Sequence, residues 1–290
     1  DILTLGANQT ITTSDTTTLS CVINAKFVNN GFIEANAGAL NIAGNSPKEN
    51  NATMRSRNGG NLQFASVTVD NVDGTIEAAA NSTVRYEGTA VSGGTLSGAG
   101  THSVGTNDLT LLGTTSPVTI DEDATVELFG ASSRALRLEG SIVNDGEIAV
   151  EDTGGGSNQI LIANAVNMTG SGTIRLTGIE NNTIIPVING NTDVLSIGPD
   201  ISIIASGTNF NSALQTRFAN AGLIEADAGQ LDISSQTPKH NTGMMRASNA
   251  GTLRINGITL NNTDGEIECT ADSTLNLTTS TVTGGVMRIF

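Results

Sequence analysis

The sequence predicts an all-β fold: a right-handed parallel β-helix, or β-solenoid, with about 22 residues and three short strands in each coil. Three observations predict it. Residues 27–99 occur again without a gap at residues 218–290, short apolar triplets recur at a regular spacing inside that repeat, and the composition favours strands and turns. The right-handed sense is assumed by analogy, because parallel crossovers are almost always right-handed.

The long repeat is clearest where FVNNGFIEANAGALNI at Phe27–Ile42 faces FANAGLIEADAGQLDI at Phe218–Ile233. Ten of these sixteen pairs are identical, at an offset of 218 − 27 = 191 residues. Asp1–Gly6 also resembles Asp193–Gly198. Such self-similarity is the signature of a tandem array.

We therefore expect residues 1–290 to form one continuous solenoid. Residues 1–192 are the first tandem unit and residues 193–290 are part of a second. The chain is expected to be a window cut from a longer array, because its last residue, Phe290, falls within a repeat.

A shorter period lies inside the unit. Two series of triplets share it: Ile33–Ala35, Met54–Ser56 and Ile76–Ala78, and Leu40–Ile42, Leu62–Phe64 and Val84–Tyr86. The first series advances by 54 − 33 = 21 and 76 − 54 = 22, and both steps of the second are 62 − 40 = 84 − 62 = 22. Asn-Gly corners between triplets also favour β-hairpins, so an antiparallel meander is the alternative. In a meander, side chains 21 or 22 residues apart need not match in type. In a solenoid they should match, because each coil returns to its starting angle after that number of residues.

The corners themselves are rich in Asn and Gly, as at Asn29–Gly31, Asn71–Gly74 and Asn262–Gly265. Asn and Gly tolerate positive φ, which sharp corners require. The sequence therefore predicts that these residues turn the chain.

The middle residue of each triplet should face outward, since side chains alternate along a strand. The outward columns combine alternating charges, Glu34, Arg55 and Glu77 in the first copy and Glu225, Arg246 and Glu268 in the second. Strands stack roughly 4.8 Å apart, so these columns predict exposed ionic ladders that fix the register between coils. The alternative is a carboxylate site that binds a cation or acts on sugar, which the intervening Arg disfavours.

Composition narrows the class of protein further. The 290 residues include 34 Gly, no Trp and one Tyr, and only 14% are charged, against about 25% in an ordinary domain. Recurring Leu, Ile and Val argue against disorder. The formal net charge of −15 argues against nucleic acid or an anionic membrane as a partner, and no apolar run is long enough for a transmembrane helix.

The two cysteines, Cys21 and Cys269, are 269 − 21 = 248 residues apart. This separation corresponds to about eleven coils or roughly 50 Å along a solenoid axis, which is too far for a disulfide. Cys269 should face inward as a small core residue. Cys21 is expected either to be buried or to pair with another chain.

Candidate catalytic groups are few, and we expect no cofactor and no bound metal. His240 aligns with Glu49 of the first copy, which predicts a loop histidine without a catalytic role.

The densest acidic cluster, Asp121–Asp123, is a candidate Ca²⁺ site or glycosidase-like pair, but a polar corner is the favoured interpretation. The threonine runs Thr12–Thr18 and Leu277–Thr283 are isolated, which disfavours an ice-binding face.

The motif N-x-G-x-I-E-A, followed by G-x-L-x-I, N-x-G-x-M-R-A and D-G-x-I-E, resembles the strand repeats of large bacterial surface and secreted proteins. These are similar in kind to filamentous-haemagglutinin and autotransporter-passenger β-helices. The resemblance covers essentially the whole chain and is clearest at residues 27–99 and 218–290. It implies export, a long rod, and a role in adhesion, biofilm or a surface layer, and it carries over no catalytic residue.

These observations lead to three functional hypotheses. The favoured one is a non-catalytic structural segment of an extracellular or cell-surface rod or filament. Its partners would be copies of itself, joined end to end or as a continued chain, and the cell surface or extracellular matrix. The alternatives are an adhesin stalk that binds host or glycan surfaces and, less favoured, a polysaccharide-processing β-helix enzyme.

Overall fold

A computed structural model gives the fold of residues 2–14, 20–152, 158–178, 182–186, 193–207, 211–235 and 238–290. Every named element in these residues is a β-strand, and every strand pairing described between them is parallel. The predicted all-β parallel β-solenoid with about 22 residues per coil is confirmed. The handedness of the coil stays a prediction. The chain forms two compact units, residues 1–127 with 134–147, and residues 128–133 with 148–290.

The first unit contains three short strands in most coils. Its strands are β1 (Ile2–Leu5), β2 (Thr10–Thr13), β3 (Ser20–Ile23), β4 (Lys26–Asn29), β5 (Phe32–Asn36), β6 (Ala39–Ala43), β7 (Lys48–Asn50), β8 (Thr53–Arg57), β9 (Asn61–Ala65), β10 (Thr68–Asp70), β11 (Thr75–Ala78), β12 (Thr83–Glu87), β13 (Thr89–Ser92), β14 (Gly94–Ser97), β15 (Thr101–Val104), β16 (Leu109–Ile120), β17 (Thr125–Gly130), whose end belongs to the second unit, and β18 (Arg134–Asn144).

These strands stack into three faces. The first face contains β1, β4, β7, β10 and β13, the second contains β2, β5, β8, β11 and β14, and the third contains β3, β6, β9, β12 and β15. The long strands β16 and β18 each serve both the first and the second face, with a register shift between Gly113 and Val118.

The second unit repeats this arrangement. Its strands are β19 (Glu147–Asp152), which begins in the first unit, β20 (Asn158–Thr169), β21 (Thr173–Gly178), β22 (Asn182–Pro186), β23 (Val194–Ile197), β24 (Ser202–Ser206), β25 (Asn211–Leu214), β26 (Arg217–Asn220), β27 (Leu223–Asp227), β28 (Gln230–Ile233), β29 (Lys239–Asn241), β30 (Met244–Ser248), β31 (Thr252–Asn256), β32 (Thr259–Asn261), β33 (Glu266–Cys269), β34 (Thr274–Thr278), β35 (Thr281–Thr283) and β36 (Val286–Ile289).

The predicted inward columns form the core. Ile33, Met54 and Ile76 are fully buried, and their small companions Ala35 and Ala78 are too. Each coil buries its apolar side chains against the coils on either side, because one coil alone has too little interior.

Three apolar side chains in the last described coil are exposed. Leu277, Met287 and Ile289 are 44%, 43% and 70% exposed, whereas Tyr86 and Leu96, the first-copy counterparts of Leu277 and Met287, are fully buried. In the first copy the strands that follow, β15 and β16, pair with the strands of Tyr86 and Leu96.

Coil length varies least where the two copies match. Phe32 pairs with Thr53 and Thr53 with Thr75, so the steps are 53 − 32 = 21 and 75 − 53 = 22. Elsewhere the step falls to 101 − 83 = 18, between Thr83 and Thr101, and rises to 212 − 182 = 30, between Asn182 and Ser212. The corners absorb these differences, because the number of residues in a loop is less constrained than strand pairing.

Candidate functional site: the stacking ladders

The charged column of the first copy is arranged around Glu34. Glu34 pairs in register with Arg55, and Arg55 with Glu77. Arg55 Nε lies 2.6 Å from Glu34 Oε2, and Arg57 Nη2 lies 2.9 Å from Glu34 Oε1. The Arg55 guanidinium also lies 5.2 Å from the centroid of the Phe32 ring.

Glu34 is only 2% exposed, so the prediction of an exposed ladder is wrong at this position. The side chain points away from the core, as strand alternation requires, but two arginines cover it. Burial acts to raise the pKa of Glu34. The hydrogen bond from Arg55 and the charges of both arginines outweigh burial, and the pKa falls below its ordinary value.

The second copy rebuilds the site with two substitutions, one of which is Leu223 in place of Phe32. Arg246 Nε lies 2.7 Å from Glu225 Oε1, and Glu225 is 6% exposed. Ser248 replaces Arg57, and its hydroxyl donates to Glu225 Oε1 at 2.6 Å. The hydrogen bond to Glu225 raises the pKa of Arg246 against the effect of burial, and Glu268 adds to this rise.

The last residue of each column is aligned but not bonded. Arg246 pairs in register with Glu268, as Arg55 does with Glu77. Among the described residues, each arginine makes its close ion pair with the glutamate of the preceding coil and none with the glutamate that follows. The columns are therefore directional pairs rather than evenly bonded ladders.

A second column lies inside the solenoid, and sequence reasoning missed it. Asn29 Nδ2 donates to Asn50 Oδ1 at 2.7 Å, and Asn50 Nδ2 donates to Asn71 Oδ1 at 2.6 Å. All three side chains are fully buried. In the second copy Asn220, Asn241 and Asn262 repeat the chain of amides, with both distances 2.7 Å.

These asparagines lie at the predicted corners, and the backbone N–H of Gly74 donates to the carbonyl oxygen of Asn71 across one of these turns. None of them has a positive φ, however, and their amides bind the next coil. The glycines beside them are needed for space: a Cβ on Gly74 would lie 2.3 Å from the carbonyl oxygen of Asn50 and 2.4 Å from its Nδ2. The predicted positive φ does occur at the corner of Asn58 and at its second-copy equivalent, Asn249.

Two of the three lysines are buried, at equivalent positions of the two copies. Lys48 Nζ donates to the carbonyl oxygen of Ser46 at 2.8 Å, and Lys239 Nζ donates to that of Thr216 at 2.5 Å. The ammonium groups lie 5.9 and 5.2 Å from the ring centroids of Phe27 and Phe218.

Neither ammonium forms an ion pair within the described residues. Burial lowers the pKa of Lys48 and lowers that of Lys239 to about 7. The sequences around the two lysines, SPKEN and TPKHN, do not predict burial, because Lys is almost never fully buried without a charged partner.

The first unit also contains a buried stack of rings. The rings of Phe64 and Tyr86 are 5.6 Å apart and those of Tyr86 and His102 are 6.1 Å apart, both stacked. His102 Nε2 lies 2.9 Å from the carbonyl oxygen of Ser97, which only accepts. Nε2 therefore carries the proton, and Nδ1 accepts from the Tyr86 hydroxyl at 2.9 Å. Burial lowers the pKa of His102 to about 4, against a smaller rise from the Ser97 carbonyl.

The remaining candidates are dispersed. His240 is exposed on strand β29, so its assignment to a loop is wrong. Asp121–Asp123 forms an exposed turn in which Asp121 Oδ1 accepts from the backbone N–H of Glu122. Both cysteines are free; Cys269 is buried as predicted, and Cys21 is exposed.

A column of threonines lies outside the two runs Thr12–Thr18 and Leu277–Thr283. Thr53, Thr75, Thr95 and Thr119 pair in register on four successive coils of the second face. Two residues further along the strands the positions are mixed: Arg55, Glu77 and Ser97. The second face therefore has one threonine column and not two parallel ones. Residues 15–18 of the run Thr12–Thr18 lie outside the described residues.

Two searches of the described residues gave negative results. No group of three or more His, Cys, Asp or Glu side chains is placed to hold a metal ion. No helix in that part of the chain is long and apolar enough to cross a membrane.

Comparisons of the chain with protein-family models, with curated proteins and with solved structures gave no match. The functional argument therefore depends on what the local geometry does chemically. The buried amides, ammonium groups and carboxylates described above all bind a neighbouring coil, a corner carbonyl or each other.

Proposed function

We propose that this chain is a structural, non-catalytic segment of an extracellular bacterial rod or filament built from stacked β-solenoid repeats. The observation that carries the proposal is what the two copies keep in common. The asparagine amides, the buried lysine beside a phenylalanine ring and the glutamate–arginine pair recur at the same offset, and each joins neighbouring coils.

Self-association would use the same contacts that join coils within the chain. Met287 and Ile289 of strand β36 are 43% and 70% exposed. Unpaired strand edges pair readily with other strands. Head-to-tail stacking of copies is a heterologous contact, which extends without closing.

Sedimentation velocity and electron microscopy of the 290-residue chain test this function. We expect particles that lengthen with protein concentration, and shorter ones for the double variant Met287→Glu, Ile289→Asp. Phe129→Asp is the matched control, because Phe129 is 48% exposed on a strand that is not at the end. Compact particles of one size at every concentration would contradict self-stacking.

Location and catalysis need separate tests. Surface proteolysis of intact cells that make the protein should cleave it if it is displayed outside. Incubation with a broad panel of polysaccharides should give no products. Turnover that is lost in Asp121→Ala or Asp123→Ala would favour the polysaccharide-processing alternative instead.

A further inference from the structure

A concavity with mixed polar and apolar walls lies on the outer surface of the first unit, at the corner between the third and first faces. We call it the corner groove. Its volume is about 670 Å³, within the range of small-molecule sites. It crosses four successive coils, and its walls include Asn45, Ser66, Thr68, Asp70, Asn107 and Thr110.

The corners behind the groove turn through one left-handed residue each: Gly44, Ser66, Gly88 and Asp108, with φ of 83°, 54°, 63° and 65°. A left-handed conformation costs a residue other than glycine roughly 1–2 kcal/mol. The second copy has Gly257 where the first has Ser66, and Ser235 where the first has Gly44, so both copies accept serine at such corners.

The polar groups of the groove are largely available to a ligand. The side chains of Asn45, Ser66, Thr68 and Thr110 make no hydrogen bond to any described residue. Asp108 Oδ1 accepts from the backbone N–H of Ala135 at 2.7 Å, which leaves Oδ2 for a second donor.

The charges of the groove select against anions. It contains the carboxylates of Asp70 and Asp108. Its cation, Lys48, is 1% exposed, and its ammonium donates to the Ser46 carbonyl from beneath. A phosphate, sulfate or uronate would meet two negative charges and no accessible positive one.

The lining also disfavours flat apolar ligands. It contains no aromatic ring, and Val67, Pro47 and Ala90 are its largest apolar contributions. The ligand must therefore gain its affinity from hydrogen bonds, with hydroxyls that donate to carboxylates and amide oxygens and accept from Ser and Thr hydroxyls.

From these groups we infer that the corner groove binds a neutral, hydroxyl-rich oligosaccharide laid along the solenoid axis. The four corners span roughly 14 Å, three steps of about 4.8 Å, which is the length of a few linked sugars. Asp70 and Asp108 accept hydrogen bonds from sugar hydroxyls, and Thr68 and Thr110 complete the contacts. This inference does not depend on the proposed filament function.

Isothermal titration with maltotriose, cellotriose, mannotriose and N-acetylchitotriose tests the inference. Without ring stacking we expect a dissociation constant of about 1 mM for at least one of them. Asp70→Asn and Asp108→Asn should each weaken binding about five- to tenfold, since a charged acceptor binds more strongly than a neutral one. Asn tolerates the left-handed conformation of residue 108, so folding should be kept, and circular dichroism checks this.

Two matched controls lie outside the groove: Asp73→Asn on an exposed turn of the same unit, and Asn261→Ala at the second-copy position of Asp70. Both should bind like the wild type. Trigalacturonate and CaCl₂ alone are the comparison ligands. The inference is overturned if no neutral trisaccharide gives saturable binding, if the groove variants bind like the controls, or if only trigalacturonate or Ca²⁺ binds.

Discussion

Lys239 lies under the ring of Phe218 with one carbonyl as hydrogen-bond partner, and its pKa is lowered to about 7 from an ordinary value of 10.5. Between these two values the unfolded chain binds more protons than the folded chain. The lysine therefore opposes folding near neutral pH and does so less as the pH rises toward 10.5. A lysine is buried at the equivalent position of the first copy as well, where it is Lys48.

The first prediction follows from the direction of this pKa shift. The free energy of unfolding of the wild type should rise by roughly 2 kcal/mol from pH 7 to pH 9 relative to Lys239→Met. Urea unfolding at several pH values measures the difference. Lys26→Met is the control, because Lys26 is exposed. Equal pH profiles for wild type and Lys239→Met would contradict the lowered pKa of Lys239.

His102 affects the free energy of unfolding at acid pH. Its folded pKa of about 4 lies below the ordinary 6.5, so its contribution to stability is present above pH 6.5 and is lost as the pH falls toward 4. We expect a loss of roughly 3 kcal/mol between pH 7 and pH 4, reduced in His102→Gln. The exposed His240, changed to Gln, should leave the acid profile unaltered in thermal unfolding.

At the scale of elements, the buried asparagine chain links three successive coils. Asn50→Ala would remove its middle amide, so that Asn71 Oδ1 loses its donor from Asn50 and Asn29 Nδ2 loses one of its two acceptors. A buried polar group left unsatisfied costs about 1–3 kcal/mol. We expect a loss of stability of about 2–4 kcal/mol by urea unfolding. Asn51→Ala, one residue along and exposed, should cost less than about 1 kcal/mol.

The glutamate–arginine pair supports a double-mutant cycle. Glu34→Gln and Arg55→Met, alone and together, should show a coupling energy of roughly 1–2 kcal/mol, above that of an ordinary surface pair, because Glu34 is covered. Since the folded pKa of Glu34 is lowered, this contribution is present above the ordinary carboxyl value of 4.5 and is lost as the pH falls through the folded pKa. A coupling of zero at pH 7 would contradict the buried pair.

The elements also show where sequence reasoning succeeds. Parallel stacking and the coil length follow from the matched triplets, because residues that pair between coils must agree in type, as Ile33, Met54 and Ile76 do. The amide column was not predicted because the same residue serves two purposes: asparagine is common at turns, and its amide both donates and accepts along a column. Sequence alone does not show that an asparagine at a turn also belongs to a buried amide chain.

The burial of Lys239 and the His102–Tyr86 pair was not predictable either. His102 and Tyr86 come from neighbouring coils that are joined by the short step, 101 − 83 = 18, rather than by the regular one. His102 pairs in register with Val84 and Tyr86 with Val104, so their contact is diagonal and no alignment of equivalent positions shows it. The corner groove depends on corner conformations, such as that of Asp108, which no spacing rule gives.

At the scale of the whole molecule, the net charge of −15 sets how copies approach one another. Like charge repels, and salt screens it over about 10 Å at 0.1 M. If copies stack end to end, light scattering at pH 7 should increase from about 10 mM to about 0.5 M NaCl, and Met287→Glu should reduce this increase. Scattering that falls with salt would mean that ion pairs, rather than apolar coil faces, hold copies together.

The constant offset between the copies has a consequence for how such a protein changes in length. Strands β5 and β27 begin at residues 32 and 223, and β9 and β31 at residues 61 and 252, so 223 − 32 = 252 − 61 = 191. Recombination between the DNA segments that encode the two copies would join a strand of one copy to the following strand of the other, with amide columns and charge pairs in register. Gene variants that arise in this way would differ in length by whole multiples of this offset, and each would remain able to fold.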